Sequence, residues 1–241
     1  MYNKNCFASL SWSKINLFLN CQRCFYKDQK LAMKYPGLEA EHFKLNRAVD
    51  RLLKNEFDEY RHQQKAHPVM VENGIDAVPF GHDSLKIWRD SYHAGGIRFY
   101  DSANNIVCFG GIDDLWVTPA GELIVVEYKT TVTLDPIALD NGNQWYREYM
   151  RQISFYAWLF KKNKYAVSPI SYFIFCNGIT GNVPFNKRLV FDYILLPYYF
   201  DDSWIEQTIK DICSCLDQEN IPLSGVGCKL CAFSMPVSSS R

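Results

Sequence analysis

The sequence predicts an α/β protein in which a central mixed β-sheet is covered by helices. Two observations carry this expectation. Apolar residues pass from helical spacing to short strand-like runs in the order helix, strands, helix, strands, helix. The run Leu123–Tyr128 is also apolar on both of its alternating faces, as in a strand covered on both sides.

Taken in order, Ser11 is placed to cap a short helix carrying Ile15, Phe18 and Leu19, which should end near Cys21. A looser stretch follows, broken by Pro36-Gly37. From His42, the residues Leu45, Val49, Leu52, Leu53 and Phe57 recur at three and four, which predicts an amphipathic helix to about Arg61. Residues 62 to 95 read as irregular, with Pro68, Gly74, Pro79 and Gly81, and with a short helix around Trp88. The middle is β-rich, with strands expected over Ile97–Tyr100, Ile106–Val117 and Leu123–Tyr128. A long helix is expected from Gln144 to Lys162, then strands over Ile170–Cys176 and Arg188–Leu195, and a last helix from Ser203 to Asp217. The tail from Ser234 looks frayed, and no internal repeat is visible.

A chain of 241 residues is long enough for one full core. Its 48% hydrophobic and 22% charged residues are those of a globular protein, not a disordered one. The formal net charge is zero, so a polyanionic partner would have to be met by local clusters of Lys and Arg. No apolar run approaches the roughly 20 residues of a membrane span, and Met1–Cys6 lacks a signal-peptide core. A cytoplasmic location is the expectation, in which nine cysteines serve as thiols or metal ligands.

The most informative segment is Gly110-Gly111-Ile112-Asp113-Asp114-Leu115-Trp116-Val117, a turn at Pro119-Ala120-Gly121, then Leu123 to Lys129. A three-residue turn with Gly last suits a hairpin whose final loop residue takes positive φ. Pairing symmetric about Ala120 sets 117 against 123, 115 against 125 and 113 against 127. Asp113 and Glu127 then become cross-strand neighbours with Cβ atoms roughly 5 Å apart. Glu127 and Lys129 share a face of their strand. Two carboxylates and an ammonium thus emerge at the end of a buried strand, where they must pair or hold a cation. Asp113, Glu127, the carbonyl of Tyr128 and waters suit Mg2+ or Mn2+, with Lys129 placed to orient an attacking water. The alternative is a structural Glu127–Lys129 ion pair, with Asp113 ending a strand.

At these residues the chain resembles the PD-(D/E)XK nuclease superfamily, in particular its RecB-like and CRISPR-associated-exonuclease-like branch. Gly110-Gly111-Ile112-Asp113 resembles that branch's GxID segment, and Glu127-Tyr128-Lys129 its D/E-Y-K. Gln152-Ile153-Ser154-Phe155-Tyr156 is similar to its QxxxY helix motif. Ser11-Trp12-Ser13, Phe18 and Cys21–Tyr26 look like its opening signature. The family's helix His, in a GxxVH-like pattern, is replaced here by Asp50 within Asn46–Asp50, an oxygen donor that also suits Mg2+ or Mn2+. His42 is a weaker candidate. The resemblance implies a restriction-endonuclease-like core, with the whole of 1–241 as one nuclease domain. The terminal segments 1–36 and 203–233 would carry cysteine pairs, and 97–200 the catalytic core. It also implies that Gln152 orients the site and that Tyr156 touches the nucleic acid.

Cys21-x-x-Cys24 and Cys228-x-x-Cys231 are two pairs whose spacing lets all four sulfurs share one metal and clip the termini together. The relatives implied by the resemblance use an iron–sulfur cluster with one N-terminal and three C-terminal cysteines. The two-and-two arrangement leaves Zn2+ and a 4Fe–4S cluster both open. Cys6, Cys108, Cys176, Cys213 and Cys215 read as packing residues.

The leading function is a DNA nuclease, an exonuclease before an endonuclease, in repair, recombination or defence. Single-stranded ends are the expected substrate, because Tyr146, Tyr149 and Tyr156 could stack bases along the central helix. Lys161, Lys162 and Lys164 would meet phosphates or simply end a solvated helix. No Walker A loop is present, so a helicase or other repair or defence partner would be a separate chain. A non-catalytic nucleic-acid-binding subunit and an enzyme acting on another phosphate ester are the alternatives.

Overall fold

The computed structural model describes residues 8–33, 44–93, 95–139, 142–181, 184 and 186–233. Cys6, the Pro36-Gly37 break, His42 and the tail from Ser234 lie outside them. The first half contains β1 (Ala8–Ser11), α1 (Trp12–Asn20), α2 (Gln22–Lys30), α3 (Lys44–Gln63), α4 (Pro68–Glu72), β2 (Val78–Pro79), α5 (Leu85–Trp88), β3 (Ile97–Asp101) and β4 (Ile106–Gly110). The second half contains β5 (Asp114–Val117), β6 (Leu123–Thr131), α6 (Gln144–Lys162), β7 (Ile170–Gly178), β8 (Phe191–Tyr199), α7 (Ile205–Asp217) and α8 (Lys229–Phe233).

The chain divides into two compact units, one of residues 42–99 and 109–202 and one of residues 1–41, 100–108 and 203–241. The larger unit is built on a five-stranded sheet of order β2-β5-β6-β7-β8. Strands β6 and β7 are parallel and the other pairs antiparallel, so the expected mixed sheet is present. Helices cover both faces. Val49, Leu53 and Phe57 of α3 pack with Trp116, Ile124, Val126 and Tyr128 of β5 and β6. The opposite face of β6 carries Glu127 and Lys129, and Lys129 reaches Gln152 of α6. Central β6 is therefore sandwiched, which explains its two apolar faces. Phe57 and Trp116 are fully buried and stacked at 5.7 Å, and burial of each such side chain contributes on the order of 2 kcal/mol or more.

In the smaller unit, Ser11 precedes α1 and Cys21 ends it, as expected from the sequence. The short strand β1 belongs to a three-stranded sheet of order β1-β4-β3. Phe18 meets Phe25 edge-on at 5.3 Å, and the Tyr26 hydroxyl donates to the Gln218 and Glu219 carbonyls at 3.2 and 3.3 Å. Among the described residues, no helix is long and apolar enough to cross a membrane.

Several expectations are corrected. The predicted strand Ile106–Val117 is broken at Gly111-Ile112-Asp113, and its halves β4 and β5 join different sheets. The apolar pattern runs through the break because Ile112 is buried in its own right. The strand predicted at Arg188–Leu195 is instead Phe191–Tyr199, set by nine-residue pairing with β7. Pro197 lies within it, because β8 ends the sheet and an edge strand tolerates a missing N–H. The 62–95 stretch is more ordered than expected. Pro68 begins α4 at a position that needs no intrahelical N–H, and the His67 ring accepts from the Val69 N–H at 3.2 Å. The charged segment Gln22–Lys30, read as loose, is helix α2, anchored by buried Cys24, Phe25 and Tyr26. Strands β1 and β2 and helix α8 were also not foreseen.

Candidate active site and cysteine cluster

The β5–β6 hairpin follows the register expected from its turn, with Leu115 opposite Val125 and Val117 opposite Leu123. Gly121 takes φ +81°, as the turn requires. Asp113 lies one residue before the ladder and turns its carboxylate onto β6, where Oδ2 accepts from the Tyr128 N–H at 2.9 Å. The preceding Gly110 lets α6 approach. A Cβ at Gly110 would lie 2.4 Å from the Tyr156 ring.

On the α6 side of β6, Lys129 Nζ donates to Glu127 Oε1 at 2.8 Å and to Gln152 Oε1 at 3.0 Å. Gln152 Nε2 in turn donates to the Tyr156 hydroxyl at 3.1 Å. The Lys129 ammonium also stands 4.2 Å from the Tyr149 ring centroid. On the other side, Lys54 of α3 donates to Asp113 Oδ1 at 3.2 Å and to Asp50 Oδ2 at 2.9 Å. Asp50, Asp113 and Lys129 line one depression of about 360 Å³, together with Arg47 and Tyr149.

Burial, and then the neighbouring Asp113 charge, push the Glu127 carboxyl up to about 7 against the pull of Lys129. Asp50 is likewise raised, by burial and then by Asp113. Burial alone would lower Lys129, but Glu127 and Asp113 outweigh it and hold its pKa above the ordinary value. Lys54 is raised by Asp113 and Asp50 in the same way, again against burial. Glu127 Oε2 is buried with no hydrogen-bond partner. A site with a proton-retaining carboxylate, an unpartnered carboxylate oxygen and only oxygen donors fits a small hard cation. Asp113, Glu127 and Asp50 are the side chains that would hold it.

The structure thus lines one depression with Asp50, Asp113 and Lys129, and Lys129 hydrogen-bonds Glu127 and Gln152 behind it. The Tyr128 side chain points to the other face, where its hydroxyl donates to Asp114 Oδ2 at 2.9 Å. Tyr156 is only 5% exposed, so its ring has no open face for a base, and its hydroxyl accepts from Gln152. An adjoining depression of about 330 Å³ runs from Lys129 past Asn143, Trp145, Tyr146 and Tyr149. Lys161 and Lys162 lie about 18 Å beyond Tyr149 along α6, where Lys161 pairs with Asp202 at 2.8 Å and Lys162 faces Phe99 and Trp158.

Sequence reasoning missed Lys54, although it follows Asp50 by one helical turn. It also missed the buried network behind the site. Asp114 is fully buried; it accepts from Arg61 and, at 2.7 Å, from Arg89. Arg89 also donates to the Asp113 carbonyl at 3.0 Å and to Asp58. The Asp50, Lys54, Asp58 and Arg61 stripe was the available signal. Trp145, 64% exposed, was not singled out either.

Within the smaller unit, the two cysteine pairs converge. The sulfurs of Cys21, Cys24, Cys228 and Cys231 all lie within 4.8 Å of one another, the one such group found among the described residues. Of the cysteines read as packing residues, Cys108, Cys176 and Cys215 are buried and Cys213 is half-buried.

The family model of the PD-(D/E)XK nuclease superfamily matches residues 29–235. A comparison with curated proteins finds no match. Among solved structures, the protein SSO0001 is 14% identical, with a TM-score of 0.41, over 92% of this chain and 81% of its own. A Eubacterium rectale protein, provisionally named an exonuclease, is 11% identical with a TM-score of 0.46, over 97% and 90%. Likenesses this distant say nothing about activity or substrate.

Proposed function

Since this chain belongs to the PD-(D/E)XK nuclease superfamily, we propose that it is a Mg2+- or Mn2+-dependent deoxyribonuclease, an exonuclease acting on single-stranded ends. In this reading the whole chain serves as one nuclease domain, at work in the cytoplasm. The observation that carries it is the unpartnered Glu127 Oε2 beside Asp113, with Lys129 2.8 Å from Glu127 Oε1.

Asp113, Glu127 and the Tyr128 carbonyl would hold the ion, with Asp50 as a further oxygen donor. The bound ion would polarise the phosphate and lower the pKa of the attacking water. Lys129, fixed by Gln152, orients that water and stabilises charge as it grows on the phosphoryl oxygens. Attack on phosphorus breaks the bond to the 3′ oxygen, leaving a 5′ phosphate and a 3′ hydroxyl. Trp145, Tyr146 and Tyr149 offer aromatic faces next to Lys129, and stacking on such faces favours unpaired bases.

The test is cleavage of end-labelled single- and double-stranded DNA with Mg2+ or Mn2+. The wild type should cut the single strand, and Lys129→Ala should reduce cutting by on the order of a thousandfold or more. Binding of the oligonucleotide without cutting, with either ion, would instead make the chain a non-catalytic binding subunit.

A further inference from the structure

We propose that Cys21, Cys24, Cys228 and Cys231 hold a single tetrahedral Zn2+ and not an iron–sulfur cluster. The spacing of the sulfurs carries this. Cys24 Sγ lies 3.4 Å from Cys231 Sγ and 3.6 Å from Cys228 Sγ, and Cys21 Sγ lies 3.7 Å from Cys231 Sγ. No pair exceeds 4.8 Å. Four thiolates about 2.3 Å from one ion form a tetrahedron with edges of about 3.8 Å. A 4Fe–4S cube carries its thiolates outward on four separate irons, which sets them about 6.5 Å apart. The observed cage matches the first geometry and is too small for the second.

The cage has little freedom to expand. Cys21 sits between α1 and α2, and its sulfur accepts the Gly225 N–H at 3.2 Å. Gly225 is packed so closely that a Cβ there would stand 2.8 Å from the Asn20 carbonyl oxygen. Cys24 is fully buried, and Cys21 and Cys231 nearly so. Four thiol ligands, three of them buried and Cys228 half-buried, leave no open coordination position, which is the arrangement of a structural ion. Without a cation, thiolates crowded this closely in a buried place would repel one another. The ion joins α2 to α8 within the smaller unit, and this assignment stands whether or not the protein cuts DNA.

The protein should be purified without oxygen from cells supplied with both iron and zinc, then analysed for metals and visible absorption. The expected result is one zinc per chain, no iron and no broad visible band. Titration of the thiols with an organomercurial should release that zinc. Cys213→Ser should retain it and Cys231→Ser should lose it. About four irons per chain with a broad visible band would overturn the proposal, as would wild-type protein carrying neither metal. Because metal content is read on the folded wild type, a failure of Cys231→Ser to fold does not blunt the test.

Discussion

Asp113 and Asp114 are adjacent in the chain and opposite in circumstance. Asp114 is fully buried, yet every oxygen is answered. Arg61, Arg89 and its own neighbour's N–H, from Leu115 at 2.8 Å, reach one oxygen, and the Tyr128 hydroxyl reaches the other. Asp113 faces the other way, into a cluster where Asp50 and Glu127 add like charge and Glu127 leaves an oxygen unanswered. A satisfied buried network rigidifies the fold, whereas an unsatisfied one persists where something else is meant to complete it. The difference separates a support from a candidate site, although both are made of the same residue types one position apart.

Substitution at the two clusters should sharpen that contrast most. Asp114→Asn leaves two buried guanidinium groups short of an anion and should cost about 3–5 kcal/mol in urea unfolding. Glu127→Gln should change stability by about 1 kcal/mol or less, since its ionisation is already opposed by burial, while abolishing cleavage. Equal losses of stability in the two variants would break the comparison.

A smaller effect is expected from pH. The Glu127 carboxyl is raised from 4.5 to about 7, so the folded chain keeps a proton that the unfolded chain releases between those values. The stability this contributes is fully present below pH 4.5 and is lost as the pH rises through 7. With divalent cations withheld, unfolding followed from about pH 4.5 to 8 should show that decline. The decline should be shallower in Glu127→Gln; an unchanged slope would remove Glu127 as its source.

The smallest effect should come from Tyr156→Phe, which removes only the hydroxyl that accepts from Gln152. A loss of roughly 1 kcal/mol or less is expected, with a modest fall in kcat as Gln152 loosens its hold on Lys129. A collapse of oligonucleotide binding instead would give Tyr156 the direct contact that its burial argues against.

The sequence by itself determined those features that short-range patterns control. The doubly apolar run of β6 announced a buried strand, and its charged end announced Glu127 and Lys129 on one face. The turn ending in Gly121 set a register that placed Asp113 beside them. The 3.6-residue period of α6 placed Gln152 and Tyr156 one turn apart. Only the tertiary structure decided where β4 stops and β5 begins, because each strand is completed by a different sheet. It alone recruited Lys54, Arg61, Arg89 and Asp114 from distant segments, and gave charged α2 its helix through packing in the smaller unit. The CxxC spacings likewise predicted a shared metal, but the edges of the sulfur cage come from segments some 200 residues apart. Local periodicity fixes which face a side chain takes, whereas long-range contacts fix what it meets there.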